Sequence, residues 1–417
     1  MAAPVQLART IGLPSAVALY CGAVLGSGIL VLPAIAAETA GPASLLAWAL
    51  LSLVSFPLAI TFASLARAQP EAGGFSAYVV RAFGRKTGAI AGWIFLAQVP
   101  TGTVVAGLIA ASYLGAPLGV GRDGVFLIAA GVVVVAYLLN LTGLKLAGVV
   151  QAVATASVVT LVVVLLFARA PAVDPAAFHP FAPHGWAAAG VAATQLFWAF
   201  VGWEAITPLA EEFRDPARDI LRASVISVVA VAVLYIALGL VTVGTHAYGG
   251  PPGELPAFAR MAADAFGPRA VAVVGVVGGV MAFMPINAYV AGISRLAYGL
   301  ARSGDIPQAF AALHPATKVP HRVLLVMGTA CLFAIAVAWR MGWDMPRLLP
   351  ISTSSFLATY VLSMAAAWKL LPGRGRWLAA VGLLACLAVL AFVGVLVGWL
   401  LAVSLAALLY QRFIRQG

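Results

Sequence analysis

Twelve apolar runs, separated by short polar or Pro/Gly-rich stretches, decide what this chain can fold into. About 20 apolar residues cross a bilayer as a helix. In hydrocarbon no water satisfies backbone N–H and C=O groups, so only helices and closed barrels can span it. The runs are continuous rather than alternating, which excludes the barrel pattern. They fall near 12–37, 44–65, 87–114, 124–141, 147–168, 187–209, 220–245, 269–298, 323–339, 348–371, 377–393 and 395–410, the last two parted only by Gly394. With 63% hydrophobic and 9% charged residues over 417 positions, the chain has more apolar surface than a soluble core needs. The expected class is an all-α polytopic membrane protein.

The 24 Lys and Arg residues test this parse. With an even number of spans both termini share a side. Only Arg122, Arg169, Arg260, Arg269, Arg340 and Arg347 then lie on the other side. Basic residues concentrate in cytoplasmic loops, so both termini are expected in the cytoplasm. The net charge of +11 therefore reads as topology. No basic cluster with interleaved aromatics is present, and a nucleic-acid partner is not expected. Cys21, Cys331 and Cys386 lie in apolar runs without a C-x-x-C spacing, so neither disulfide nor metal site is expected. His179 and His184 fit no metal-ligand spacing either. Small residues from Pro33 to Ala40 resemble a cleavage site. The run before them is too long and too weakly preceded by positive charge for a signal peptide.

The first run is interrupted at its middle by Gly26-Ser27-Gly28. Two readings fit: a glycine packing notch between helices, or a binding site. In the second, a half-helix starting near Ile29 turns its free N–H groups and positive dipole end to the membrane centre, where they receive a carboxylate. The sixth run, Gln195 to Pro208, places Glu204 beside Gly202 and four residues before Pro208. An acidic residue at a span centre costs from about 2.5 kcal/mol upward and marks function by default. The alternative is a structural Glu bonded to backbone freed by a break. Gln98 with Pro100 predicts a kink in the third run. Asn287, Tyr289 and Ser294 in the eighth run line a cavity or make interhelical hydrogen bonds, and the hydroxyls of Ser352 to Ser355 in the tenth are expected to face the same cavity. After the second run, Pro and paired Gly mark a turn that can lead into a short interfacial helix.

Five runs lie within 9–168 and five within 187–371, and each set opens with its broken run. An odd number of crossings inverts the second set relative to the first. Broken helices at matching positions of inverted halves point to a transporter's central site. A packing notch predicts no partner break. The remaining 377–412 forms a C-terminal hairpin.

Four stretches, in order, resemble the amino acid–polyamine–organocation (APC) transporters with the LeuT-type inverted repeat. They are Gly26-Ser27-Gly28-Ile29 with Pro33, and Pro70-Glu71-Ala72-Gly73-Gly74 with Tyr78 and Gly84. The third is Phe200-Val201-Gly202-Trp203-Glu204 with Glu211-Glu212 and Asp215-Pro216-Ala217-Arg218. The fourth is Asn287-Ala288-Tyr289 with Ser294-Arg295 and Gly304-Asp305-Ile306-Pro307. Short length, an apolar sixth run and a compact layout make the chain most similar to bacterial exporters of methionine and branched-chain amino acids.

The resemblance implies a 5+5 inverted repeat with two additional C-terminal spans, twelve transmembrane helices in all, in a bacterial inner membrane. It implies a secondary active transporter that works by alternating access, with a small amino acid and the lipid bilayer as partners and no cofactor. Gly26, Ser27, Gly28 and Ile29 would take the substrate carboxylate, and carbonyls near Phe197, Trp198 and Phe200 its ammonium. Gly202 would belong to the same substrate site. Phe200 resembles a gating aromatic, and Trp198 would wall the side-chain pocket. Gln98, Asn287, Tyr289, Ser352 and Ser355 are candidates for the cavity lining. Glu204 matches a carboxylate linked to proton sensing in some members.

Two departures bear on coupling. Lys145 lies only at the edge of the fifth run, and the eighth lacks a hydroxyl pair for sodium. Proton coupling through Glu204 and obligatory exchange both stand. Export rests on the resemblance, with uptake or exchange on the same fold as the alternative. Val201, Trp203 and Ile206 offer no anion to a cationic side chain, which favours Met, Leu, Ile or Val. No H-E-x-x-H or G-x-S-x-G supports an enzyme, and no charge ring or filter-like repeat supports a channel.

Overall fold

The computed structural model describes residues 11–68, 74–143, 148–204, 213–249 and 255–413. Pro70 to Gly73, Lys145, Ile206, Pro208 and Glu211-Glu212, singled out in the sequence, lie outside them. Among the described residues the regular structure is helical, with no strand beyond one isolated parallel bridge from Ile11 to Phe213. Nine helical stretches there are long and apolar enough to cross a membrane, alongside two shorter apolar helices, Leu13–Leu25 and Trp186–Phe200.

The first apolar run is two helices, α1 (Leu13–Leu25) and α2 (Leu32–Ala40), with a single 3-10 turn, Gly28–Leu30, between them. Then follow α3 (Ser44–Ala68), the short α4 (Gly74–Phe83), α5 (Arg85–Ala97), α6 (Val99–Gly115), α7 (Arg122–Leu141) and α8 (Gly148–Arg169). The second broken run contributes α9 (Trp186–Leu196) and a 3-10 turn, Phe197–Phe200. Beyond it lie α10 (Pro216–Gly244), α11 (Ala257–Phe266), α12 (Ala270–Arg302), α13 (His321–Arg340), α14 (Met345–Leu370), α15 (Gly373–Leu390) and α16 (Val397–Phe413).

Local sequence explains several boundaries. Asp215 caps α10 by accepting the Arg218 N–H at 3.2 Å, with Pro216 in the first turn. Asp344 caps α14 in the same way through the Arg347 N–H at 3.1 Å. Gln98 separates α5 from α6, with Pro100 opening the second of them, so the third run is interrupted there. Two apolar stretches, Leu32–Ala68 and Gly373–Arg412, exceed one crossing at 37 and 40 residues. Each turns at a glycine with positive φ, 62° at Gly41 and 63° at Gly394. The second returns to the end it left. Lys369, just before α15, donates to the Ala82 carbonyl, and Gln411 of α16 donates to the Lys86 carbonyl.

Buried contacts between helices follow membrane rules. Gly275, Gly278 and Gly279 bring α12 against Tyr113 and Leu114 of α6, where added methyls would clash. Asn140 of α7 donates to Asn287 Oδ1 of α12 at 2.9 Å, pairing two amides in an apolar setting.

Loop contacts sort the molecule into two ends. At one end Arg85 binds Asp305 and the Ser303 carbonyl, and Trp93 Nε1 donates to the Asp305 carbonyl at 2.8 Å. At the other, Arg122 donates to the Trp339 carbonyl, Trp339 Nε1 to Asp123, and Arg169 pairs with Asp264. The Gly249 N–H and Glu38 also meet there. This division matches the partition of basic residues. Cysteines introduced as Arg122→Cys or Arg340→Cys should react with a membrane-impermeant maleimide on intact cells. Arg302→Cys or Arg376→Cys should react only after permeabilisation. The reverse pattern would invert the topology.

Candidate functional site

Both glycine-marked interruptions are present in the backbone. After Leu25 the chain leaves the helix at Gly26 (φ 35°, ψ −156°), makes the Gly28–Leu30 turn and restarts helix at Leu32. After Phe200 it runs extended at Val201 (φ −82°, ψ 141°) and turns at Gly202 (φ 128°). The breaks lie against each other. A methyl on Gly28 would stand 3.1 Å from the Trp198 ring and 3.4 Å from the Ala199 Cα. One on Gly202 would stand 2.9 Å from the Ala23 carbonyl oxygen. Glycine is needed at Gly202 twice over, for its left-handed φ and for this approach.

Interruption frees peptide groups, and most of their partners are phenols. The Tyr113 hydroxyl donates to the Leu30 carbonyl at 2.7 Å. The Tyr235 hydroxyl lies 3.0 Å from the Val24 carbonyl and 2.9 Å from the Ala199 carbonyl. The Gly202 N–H lies 3.0 Å from Glu204 Oε2 and 3.1 Å from the Tyr360 hydroxyl, which itself donates to Glu204 Oε2. The N–H groups of Ser27, Gly28 and Ile29 have no backbone acceptor among the described residues. Of these three residues, Ser27 and Gly28 border a cavity between the breaks.

That cavity has a volume of about 70 Å³. Gly26, Ser27 and Gly28 form one side. Trp198, Phe356 and Tyr289 form an aromatic wall, with rings edge to face at 5.7 Å and 6.1 Å. Val24, Val201, Ile286 and Ile293 supply aliphatic surface, and Ser27, Gln98 and Thr103 polar side chains. No charged side chain among the described residues lines it. Gln98 Oε1 accepts the Ser352 hydroxyl at 3.0 Å, which leaves the donor half of that amide for the cavity.

The sequence candidates therefore divide. Gly26, Ser27, Gly28, Trp198, Gln98 and Tyr289 border the cavity. Ile29 is fully buried outside the lining. Phe200 packs between Trp48 and Tyr235, at ring distances of 5.8 Å and 5.1 Å, and Phe197 packs on Tyr360. Gly202 and Glu204 sit just beyond the cavity, joined through Tyr360. Ser352 stands behind Gln98, Asn287 faces Asn140, and Ser355 accepts from Trp399 Nε1 at 3.4 Å. The phenols of Tyr113, Tyr235 and Tyr360 escape sequence reasoning, although a lone Tyr in an apolar run signals a hydroxyl that needs a partner.

The model of the amino acid permease family matches residues 11–417. The uncharacterized amino acid permease YecA of Bacillus subtilis is 40% identical over 93% of this chain and 92% of its own length. The L-methionine/branched-chain amino acid exporter YjeH of Escherichia coli is 31% identical, with the same two coverages of 93% and 92%. The branched-chain amino acid permease BcaP of Bacillus subtilis is 27% identical over 78% of this chain and 74% of its own.

Gly202→Ala should lower the thermal midpoint in detergent, by the equivalent of about 1–3 kcal/mol, because it strains the backbone and collides with Ala23. Gly292→Ala, in α12 with nothing within 4 Å of the added methyl, should cause no such loss. Equal midpoints for the two variants would contradict the packing of the breaks.

Proposed function

The chain belongs to the amino acid permease family of the APC superfamily, membrane transporters rather than enzymes, and we propose that it exports neutral, apolar amino acids by alternating access. The observation that carries this reading is the cavity between the two breaks, whose described lining holds no charged side chain, with peptide N–H groups on one side and apolar and aromatic walls elsewhere. A free amino acid has a constant carboxylate and ammonium and a variable side chain. In this reading the carboxylate docks at Gly26, Ser27, Gly28 and Ile29, where N–H groups of the last three, without a backbone acceptor among the described residues, and the half-helix dipole favour an anion. Carbonyls of the Phe197–Phe200 turn receive the ammonium. Trp198, Phe356 and the aliphatic residues hold the side chain of methionine, leucine, isoleucine or valine. An arginine or lysine substrate would bring a charge with no counter-ion in the described lining. YjeH, named as an exporter of methionine and branched-chain amino acids, favours the same substrates and the outward direction.

The architecture proposed with it has twelve spans: two inverted five-helix repeats, 9–168 and 187–371, and the hairpin 377–412. Both termini face the cytoplasm of a bacterial inner membrane. Glu204 couples transport to protons. One of its oxygens accepts bonds from the Gly202 N–H and the Tyr360 hydroxyl. Protonation weakens that oxygen as an acceptor, and so loosens the second break.

Bacterial cells expressing the chain should tolerate excess methionine and release preloaded leucine faster when the outside is acidified. Arginine and lysine release should not change. Glu204→Gln keeps an acceptor oxygen but cannot titrate. It should retain leucine–leucine exchange and lose the response to external pH. Accumulation in place of release would reverse the direction. An unchanged pH response in Glu204→Gln would remove Glu204 from coupling.

A further inference from the structure

Tyr235 is buried in α10, outside the cavity lining. Its ring packs against Trp48 and Phe200 at 4.9 Å and 5.1 Å, which fixes where the hydroxyl points. That hydroxyl lies within hydrogen-bond distance of two carbonyls from different broken helices, Val24 in the first and Ala199 in the second. In an uninterrupted helix the Val24 carbonyl would accept from the N–H four residues on, at Gly28, and the Ala199 carbonyl from Trp203. The breaks remove both donors. Among the described residues, Tyr113 bonds only the first break, at Leu30, and Tyr360 only the second, at Gly202.

We propose that Tyr235 is a positioning residue for substrate binding, whose hydroxyl sets the separation of the two unwound segments so that their backbone groups match one amino acid. The proposal rests on reading the cavity as an amino acid site. Val24 lies two residues before Gly26, at the start of the carboxylate-binding segment. Ala199 lies between Trp198 and Phe200, in the turn assigned to the ammonium. A shift between these carbonyls changes the distance between the carboxylate and ammonium sites. A hydroxyl has a single proton, so it serves one carbonyl fully or both in part. If one segment moves away, Tyr235 remains paired with the other, so its hydroxyl is not left without a partner. Tyr235 is not in the cavity lining and bonds Val24 through its main chain, so its influence is the same for every side chain the pocket admits.

The test is Tyr235→Phe, which keeps the stacked ring and deletes one oxygen, measured as leucine, isoleucine, valine and methionine transport in proteoliposomes. The expected result is an increase in KM of about tenfold, by the same factor for all four substrates, with kcat much less affected. Tyr113→Phe removes a phenol–carbonyl bond at one break only and should raise KM less. Wild-type KM in Tyr235→Phe, even with a lowered thermal midpoint, overturns the proposal, as does an effect no larger than that of Tyr113→Phe. A change in selectivity among the four substrates also overturns it. If Tyr235→Phe does not fold, Trp48→Phe loosens the ring while keeping the hydroxyl. It should give a smaller uniform rise in KM, and an unchanged KM there overturns the proposal. A wild-type protein that binds no amino acid defeats the amino acid reading and this inference together. A wild-type-like Tyr235→Phe defeats this inference alone.

Discussion

A peptide group released from a helix inside hydrocarbon must find another partner, at a cost of several kcal/mol if it does not. The rest of this structure answers that constraint. Two apolar helices are interrupted partway, and the carbonyls of Val24, Leu30 and Ala199 at the breaks are met by hydroxyls from α6 and α10. The Gly202 N–H is met by Glu204 and by Tyr360 of α14. The N–H groups of Ser27, Gly28 and Ile29 are left without a backbone acceptor among the described residues. These are the groups through which a carboxylate would complete the structure.

Close packing and open space are produced by the same residues. Gly28 and Gly202 let the two interruptions approach until a single methyl would intrude, while the wider gap beside them becomes the cavity. Gly102 plays a related part on α6. A methyl there would press on Gln98 and Ser352 at under 3 Å, so glycine keeps that polar pair folded against the helix. The polar side chains near the cavity are thus few, and apolar walls make up the remainder. Such a surface discriminates against charge more strongly than it discriminates among aliphatic side chains, since one methylene is worth only about 1–3 kcal/mol.

The helical membrane class was legible because hydrophobic run length depends only on bilayer thickness. Both interruptions were legible because glycine pairs and an acidic residue are conspicuous in an apolar run. Gln98 was visible for the same reason, and its place between α5 and α6 accords with the kink expected beside Pro100. Rotation about the helix axis was not legible. Phe197 and Phe200 face Tyr360 and Trp48, whereas Trp198 between them faces the cavity. Nothing in a run of aromatics tells which one points where. Asn287 and Tyr289 likewise sit two positions apart on α12, one committed to Asn140 and the other bordering the cavity. The phenols were missed because a tyrosine reads as apolar bulk until the orphaned carbonyl it serves is known.

The central claim is that exposed peptide groups of the first interruption, steadied by the second, recognise the constant part of an amino acid. The most direct measurement is an experimental structure of the protein with methionine or leucine bound. The account predicts a ligand carboxylate within hydrogen-bond distance of the N–H groups of Ser27 to Ile29, with its side chain against Trp198 and Phe356. A ligand bound elsewhere, or a first helix running unbroken through Gly26 and Gly28, would contradict it.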